Sequence, residues 1–96
     1  MILTVLSALA EPTRLASMRM LRDGDEHCVC DLMRCLEVSQ SRMSRHMKVL
    51  KQAGLVVDRR DAQWVRYRIK PDLPPHLRAL LDAALIDETL IEVMRK

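Results

Sequence analysis

A chain of 96 residues is long enough for one small domain, whose single core stays marginal unless another surface is buried with it, so oligomerisation is expected. Apolar residues make up 49%, yet Trp64 and Tyr67 are the only aromatic residues, so leucine, methionine and valine must fill a core that favours helices. The net charge of +3 is unevenly spread: residues 39–70 carry 9 basic and 2 acidic side chains, against 4 and 6 before them and 3 and 5 after, which points to a polyanionic partner. No apolar run approaches the roughly 18 residues of a membrane span, and Met1-Ile2-Leu3-Thr4-Val5-Leu6 lacks the basic flank of a signal peptide; the expectation is a cytoplasmic protein with no membrane partner.

Residues 2–9 are almost wholly apolar, so a short helix there needs cover on most sides, which a partner subunit supplies more readily than a small monomer. Glu11-Pro12-Thr13 interrupts, and proline fits the first turn of a helix whose Leu15, Met18, Met20 and Leu21 face inward. Asp23-Gly24-Asp25 ends it. Cys28 falls in an extended connection and Cys30 at the N-cap of a helix, with Asp31 in its first turn and Leu32, Cys35 and Leu36 at helical spacing. Ser39 caps the next helix, which runs to about Ala53 and stops at Gly54. Met43, Met47 and Leu50 point inward there, leaving a polar, cationic outer face of the kind a DNA major groove accepts. Joined through Glu37-Val38, the two helices form a helix-turn-helix.

Residues 55–60 and 63–69 read as two strands around Asp61-Ala62, with Val65, Tyr67 and Ile69 on one face and Trp64, Arg66 and Arg68 on the other. Without glycine at the turn, a loop wider than a two-residue type I′ hairpin is expected. After the connector Lys70–Pro75, a closing helix from His76 to about Met94 carries Leu77, Leu80, Leu81, Ala84, Leu85 and Ile91. It is too apolar for a lone surface helix, and pairing it with residues 2–9 gives a two-fold dimer interface. The fold expected is mainly α with a small β-hairpin wing. One winged helix-turn-helix domain spans 1–96, with dimerisation by 1–10 and 76–94, a sensor at 27–36, a recognition helix at 39–53 and a wing at 55–69.

Three cysteines within eight residues stand directly before the most basic segment. Thiolate suits soft metals and metalloids, but the same spacing also serves a disulfide or small buried hydrophobes. In a reducing compartment, ligands or redox thiols are favoured over a structural bridge. A helix N-terminus beside Cys30 favours its reactive form. His27 reads as a solvated loop histidine, with a ligand role as the alternative.

With these residues in hand, the chain resembles the ArsR/SmtB family of metalloregulatory winged-helix repressors. The resemblance rests on Leu9-Ala10-Glu11-Pro12-Thr13-Arg14-Leu15, the Cys28-Val29-Cys30-Asp31-Leu32 box, Ser39-Gln40-Ser41-Arg42-Met43-Ser44-Arg45-His46-Met47, Ala53-Gly54-Leu55-Val56 and Trp64-Val65-Arg66-Tyr67-Arg68. It implies a homodimer that binds an inverted repeat in double-stranded operator DNA and lets go when a metal or metalloid ion binds. A box of this kind implies the arsenite-responsive branch, with trivalent arsenic (arsenite), or antimonite, as inducer on thiolates of Cys28, Cys30 and Cys35, no catalytic cofactor, and control of an arsenic-resistance operon. That branch usually carries its third cysteine three residues after the second, where this chain has Met33. Cys30 and Cys35 on a regular helix lie about 140° and about 7.5 Å apart, so the first turn must unwind or another group complete the site. A zinc site on the last helix would use Asp72 and His76 but lacks a second histidine.

In the DNA-binding reading, Arg42, Arg45 and Lys48 contact phosphates or guanine edges, and Gln40, Ser41, Ser44 and His46 add hydrogen bonds. Arg59, Arg60, Gln63 and Arg66 reach the backbone or minor groove from the wing. Two other readings stand beside arsenite sensing. One is a thiol redox or sulfur-species sensor using a Cys30–Cys35 or Cys28–Cys35 disulfide, and the other a cadmium-, lead- or zinc-responsive member of the same family. An enzyme is not expected, since no nucleophile, base and orienting group fall together.

Overall fold

Proline lacks the amide hydrogen that a first helical turn leaves unpaired, so Pro12 starts a helix readily, and the Glu11 carboxylate caps it by accepting the Arg14 amide at 2.8 Å. The computed structural model describes residues 1–86. Local signals of this kind give, in order, α1 (Ile2–Leu9), α2 (Pro12–Met20), a 3-10 turn (Leu21–Asp23), β1 (His27–Cys28), α3 (Val29–Leu36), α4 (Gln40–Gln52), β2 (Val56–Asp61), β3 (Trp64–Ile69) and α5 (Pro75–Ala84).

Helices α3 and α4 form the expected helix-turn-helix. Glu37 adopts left-handed angles (φ 54, ψ 48) at the end of α3, and its amide and that of Val38 both donate to the Met33 carbonyl. The Ser39 hydroxyl then accepts the Arg42 amide at 3.4 Å and opens α4. Leu21, Leu32, Met43, Met47, Leu50 and Leu55 are wholly shielded from solvent, and Leu77, Leu81 and Leu85 join them, so leucine and methionine fill the core. The inward placement of Met43, Met47 and Leu50 is as the periodicity requires.

The sheet has three strands in the order β1-β3-β2, one more than the sequence pattern indicates. His27 pairs with Tyr67 and Cys28 with Arg66, both antiparallel. The segment is extended, as expected, but it is used to satisfy the backbone edge that β3 would otherwise leave open. Tyr67 and Ile69 are buried and Arg68 exposed, in line with the expected alternation. The hairpin corrects one expectation. Asp61 pairs with Trp64, leaving the two-residue loop Ala62–Gln63 in place of a wider one. Ala62 alone carries a positive φ, 57, which matches a type II′ rather than a type I′ turn, so missing glycine did not preclude a tight loop.

Two further expectations are revised. The N-cap of α3 is Cys28, not Cys30, because strand pairing ends at Cys28 and helical geometry starts at once. Cys35 does not occupy a core position: it is exposed, while Leu32 on the same helix is fully buried. On α1, Val5, Ala8 and Leu9 pack inward while Ile2, Leu3 and Leu6 are exposed. The closing helix begins at Pro75, one residue earlier than expected, and stops at Ala84 with Leu85 as its C-cap, short of the expected Met94; the part of that expectation beyond residue 86 lies outside the described residues.

Candidate thiol site and nucleic-acid face

Cys28 ends a strand and caps a helix at once. Its Sγ accepts the Cys30 amide at 3.3 Å, in the place where Ser or Asp would put an oxygen. That turn also folds the Cys30 side chain back, so the two Sγ atoms are in bonding contact, with Cα atoms 5.1 Å apart. Cys28 is buried and Cys30 half-buried. Cys35 is exposed and does not join the pair. Among the described residues no three Cys, His, Asp or Glu side chains converge as a metal cage. His27 turns away from the thiols to Asp23, its Nε2 2.9 and 3.0 Å from the two carboxylate oxygens. The Asp25 amide holds the Asp23 carboxyl below its ordinary value, outweighing the opposing effect of burial, and His27 adds to the lowering.

On α4, Gln40, Ser41, Arg42, Ser44, Arg45 and Lys48 are all exposed. Spacings of three set Arg42, Arg45 and Lys48 along one stripe, and no ion pair occupies any of them among the described residues. His46 is placed differently from these six. It is half-buried against the start of α2, where Arg14 Nη1 donates to its Nδ1 at 3.1 Å and the Glu11 carboxylate lies 3.7 Å from the same nitrogen. A guanidinium can only donate, so the ring carries its proton on Nε2 in this contact. Arg14 also donates through Nε to the Ala8 carbonyl at 2.6 Å, at the end of α1. His46 thus ties α4 to the α1–α2 corner through its Nδ1.

The wing arginines divide in two. Arg59 and Arg66 face each other across β2 and β3, a like-charge pair that is relieved by two carboxylates. Arg59 makes a bidentate pair with Glu26, Nη2 donating to Oε1 at 2.7 Å and Nε to Oε2 at 2.9 Å. Arg66 Nε donates to Asp61 at 2.8 Å. Hydrogen bonding from Arg59 holds the Glu26 carboxyl below its ordinary value, helped by the charges of Arg59, Arg68 and Arg66, and Arg66 does the same for Asp61. Arg60, Gln63 and Arg68 are exposed with no such clasp among the described residues.

Residues 11–57, which include the helix-turn-helix and the cysteine pair, match the family model described as "Bacterial regulatory protein, arsR family". The arsenical resistance operon repressor of Escherichia coli K12 is 41% identical over 76 residues, 79% of this chain and 65% of that protein. The arsenic resistance transcriptional regulator ArsR2 of Pseudomonas putida is 38% identical over 81 residues, 84% of this chain and 70% of that protein. The chain belongs to the arsR family. A crystal structure described as a possible transcriptional regulator for arsenical resistance superposes with a TM-score of 0.68 at 38% identity, covering 95% of this chain and 94% of that one. The chain spans somewhat under two thirds of the length of the Escherichia coli relative.

Within this arsR-family chain, the fold brings two of the three expected thiols together and separates the third. It presents six of the seven expected recognition-helix groups and diverts His46. Sequence reasoning missed Glu26 and Asp61 as partners of the wing arginines and left Arg68 out of the expected wing contacts. Strand alternation places Arg68 on the face of Arg66 and is the signal for it; the Glu26 contact links residues 33 apart and has no local signal.

Proposed function

We propose that this chain is a DNA-binding transcriptional repressor of an arsenic-resistance operon, released from its operator when trivalent arsenic, or antimony, takes the thiols of Cys28 and Cys30. The observation that carries the reading is the position of Cys28, which is at once the end of β1, the cap of α3 and one of two sulfurs in contact. In the reduced protein, where Cys28 and Cys30 are two thiols and not a bonded pair, arsenous acid gives two As–S bonds and two waters, each thiol proton leaving with a hydroxide. Two soft sulfurs suit that centre, whereas a tetrahedral zinc site wants four ligands. The relatives named for arsenic resistance support the same inducer.

Capture of Cys28 takes its sulfur from the Cys30 amide and leaves α3 uncapped. Losing a cap costs about 1 kcal/mol, and tenfold weaker DNA binding needs about 1.4 kcal/mol per complex, so modest distortion in two subunits is enough. The exposed Ile2, Leu3 and Leu6 of α1 support a homodimer, in which two copies of α4 enter successive major grooves of an inverted repeat. The repressor is cytoplasmic in this reading, where thiols stay reduced.

A second reading, a thiol redox sensor, draws support from the contact between the two sulfurs, with Cys28–Cys30 as the pair in place of those involving Cys35. One experiment separates them. Duplexes selected by the protein from a random-sequence pool are bound by the reduced protein and challenged with arsenite, antimonite or a mild oxidant. Arsenite releases the wild type and Cys35→Ser, whereas Cys28→Ser and Cys30→Ser bind and ignore it. Inducible Cys28→Ser or Cys30→Ser protein refutes the site; release by oxidant alone selects the redox reading.

A further inference from the structure

Strand β1 runs straight out of Glu26, and Glu26 reaches over β3 to the guanidinium of Arg59 on β2. Both side chains remain partly open to solvent, 54% for Arg59 and 32% for Glu26, so a competing anion can reach the pair. The bidentate geometry uses the Nε–Nη2 edge, one of the two edges on which a guanidinium can hold a phosphate. Arg66 and Arg68 stand on the same sheet, and their charges also act on Glu26. A carboxylate in this setting does to the wing what a DNA phosphate would do: it fills the Nε–Nη2 edge of Arg59 and offsets the charge that a phosphate would meet.

We infer that Glu26 is a positioning residue that occupies Arg59 in the free protein and yields it to a DNA phosphate, so that the wing's grip on duplex DNA is set by a carboxylate two residues before the thiol Cys28. The inference rests on the DNA-binding reading of the preceding subsection. It differs from the general expectation for basic wings, in which every arginine is equally available. Here Arg60 and Arg68 are ready at once, while Arg59 is exchanged. The exchange also gives the thiol segment a second mechanical tie to the DNA-facing surface, distinct from the α3–α4 packing.

The test is a double-mutant cycle on the full chain with a labelled mixed-sequence DNA duplex, which reports phosphate contacts without requiring an operator. Exposed ion pairs of this kind are worth a factor of about 3 each, so Glu26→Gln should bind about threefold more tightly per subunit and about tenfold more tightly as a symmetric pair. Arg59→Gln should bind more weakly than wild type with a shallower salt dependence, and adding Glu26→Gln to it should give little further gain. Equal gains from Glu26→Gln in both backgrounds would show only a diffuse loss of negative charge and overturn the inference. Unchanged or weaker binding by Glu26→Gln, with wild-type binding intact, overturns it as well and leaves the DNA-binding reading standing. A wild-type protein that binds no duplex overturns both.

Discussion

Glu37→Gly is expected to stabilise the protein by relaxing the turn of its helix-turn-helix. Glu37 is held at φ 54 and ψ 48, where its Cβ crowds the following carbonyl, and its side chain is exposed with no partner among the described residues. An L-residue in that conformation costs about 1–2 kcal/mol, which glycine avoids. Glycine's extra freedom in the unfolded chain gives back about 0.4–1 kcal/mol, leaving a net gain of about 0.5–1 kcal/mol. For a domain under 100 residues this raises Tm by about 2–8 °C. Thermal unfolding followed by circular dichroism measures it, at one protein concentration throughout because association shifts Tm. Glu37→Ala is the control, since it removes the same carboxylate but keeps the Cβ. The reasoning fails if Glu37→Gly leaves Tm unchanged or lowers it, or if Glu37→Ala stabilises as much, in which case charge and not backbone strain is responsible.

Leu32→Ala, at a fully buried position on the helix that supports α4, should cost about 3–5 kcal/mol of a total near 5–15 kcal/mol; a loss under about 1 kcal/mol in urea unfolding would show that the site collapses around the cavity. Acid should loosen the α1–α2 corner through Glu11. Burial pushes its carboxyl up, but the Arg14 amide, the Thr13 amide and the Arg14 charge, joined by His46 whenever that ring is protonated, hold it below the ordinary value. A depressed folded value means a contribution present above the ordinary glutamate range and lost as pH falls through that folded value. The stability gap between wild type and Glu11→Gln should therefore narrow from neutral pH into acid, and a constant gap would remove the carboxylate from the account.

Much of the architecture is legible residue by residue. Pro12, Ser39, Gly54 and the spacing of Met43, Met47 and Leu50 act within one or two helical turns, and a pattern confined to neighbours survives in the linear chain. The cysteine box shows the same locality: Cys28 and Cys30 meet because a strand end and a helix start are two residues apart. The shift of the cap from Cys30 to Cys28 has a longer-range cause, since pairing with Arg66 determines where the strand stops. Cys35 lies at helical spacing from the buried Leu32, yet it is exposed.

The sequence by itself determined the helix-turn-helix, the basic stripe Arg42, Arg45 and Lys48, and the cysteine box, because helix periodicity, capping and charge are properties of short segments. Only the tertiary structure decided that residues 27–28 form a third strand, that His46 is held by Arg14 and Glu11, and that Glu26 occupies Arg59. Each of these joins groups 32 or more residues apart, and a hydrogen bond or ion pair across such a distance depends on how the elements pack, which no window of neighbouring residues contains.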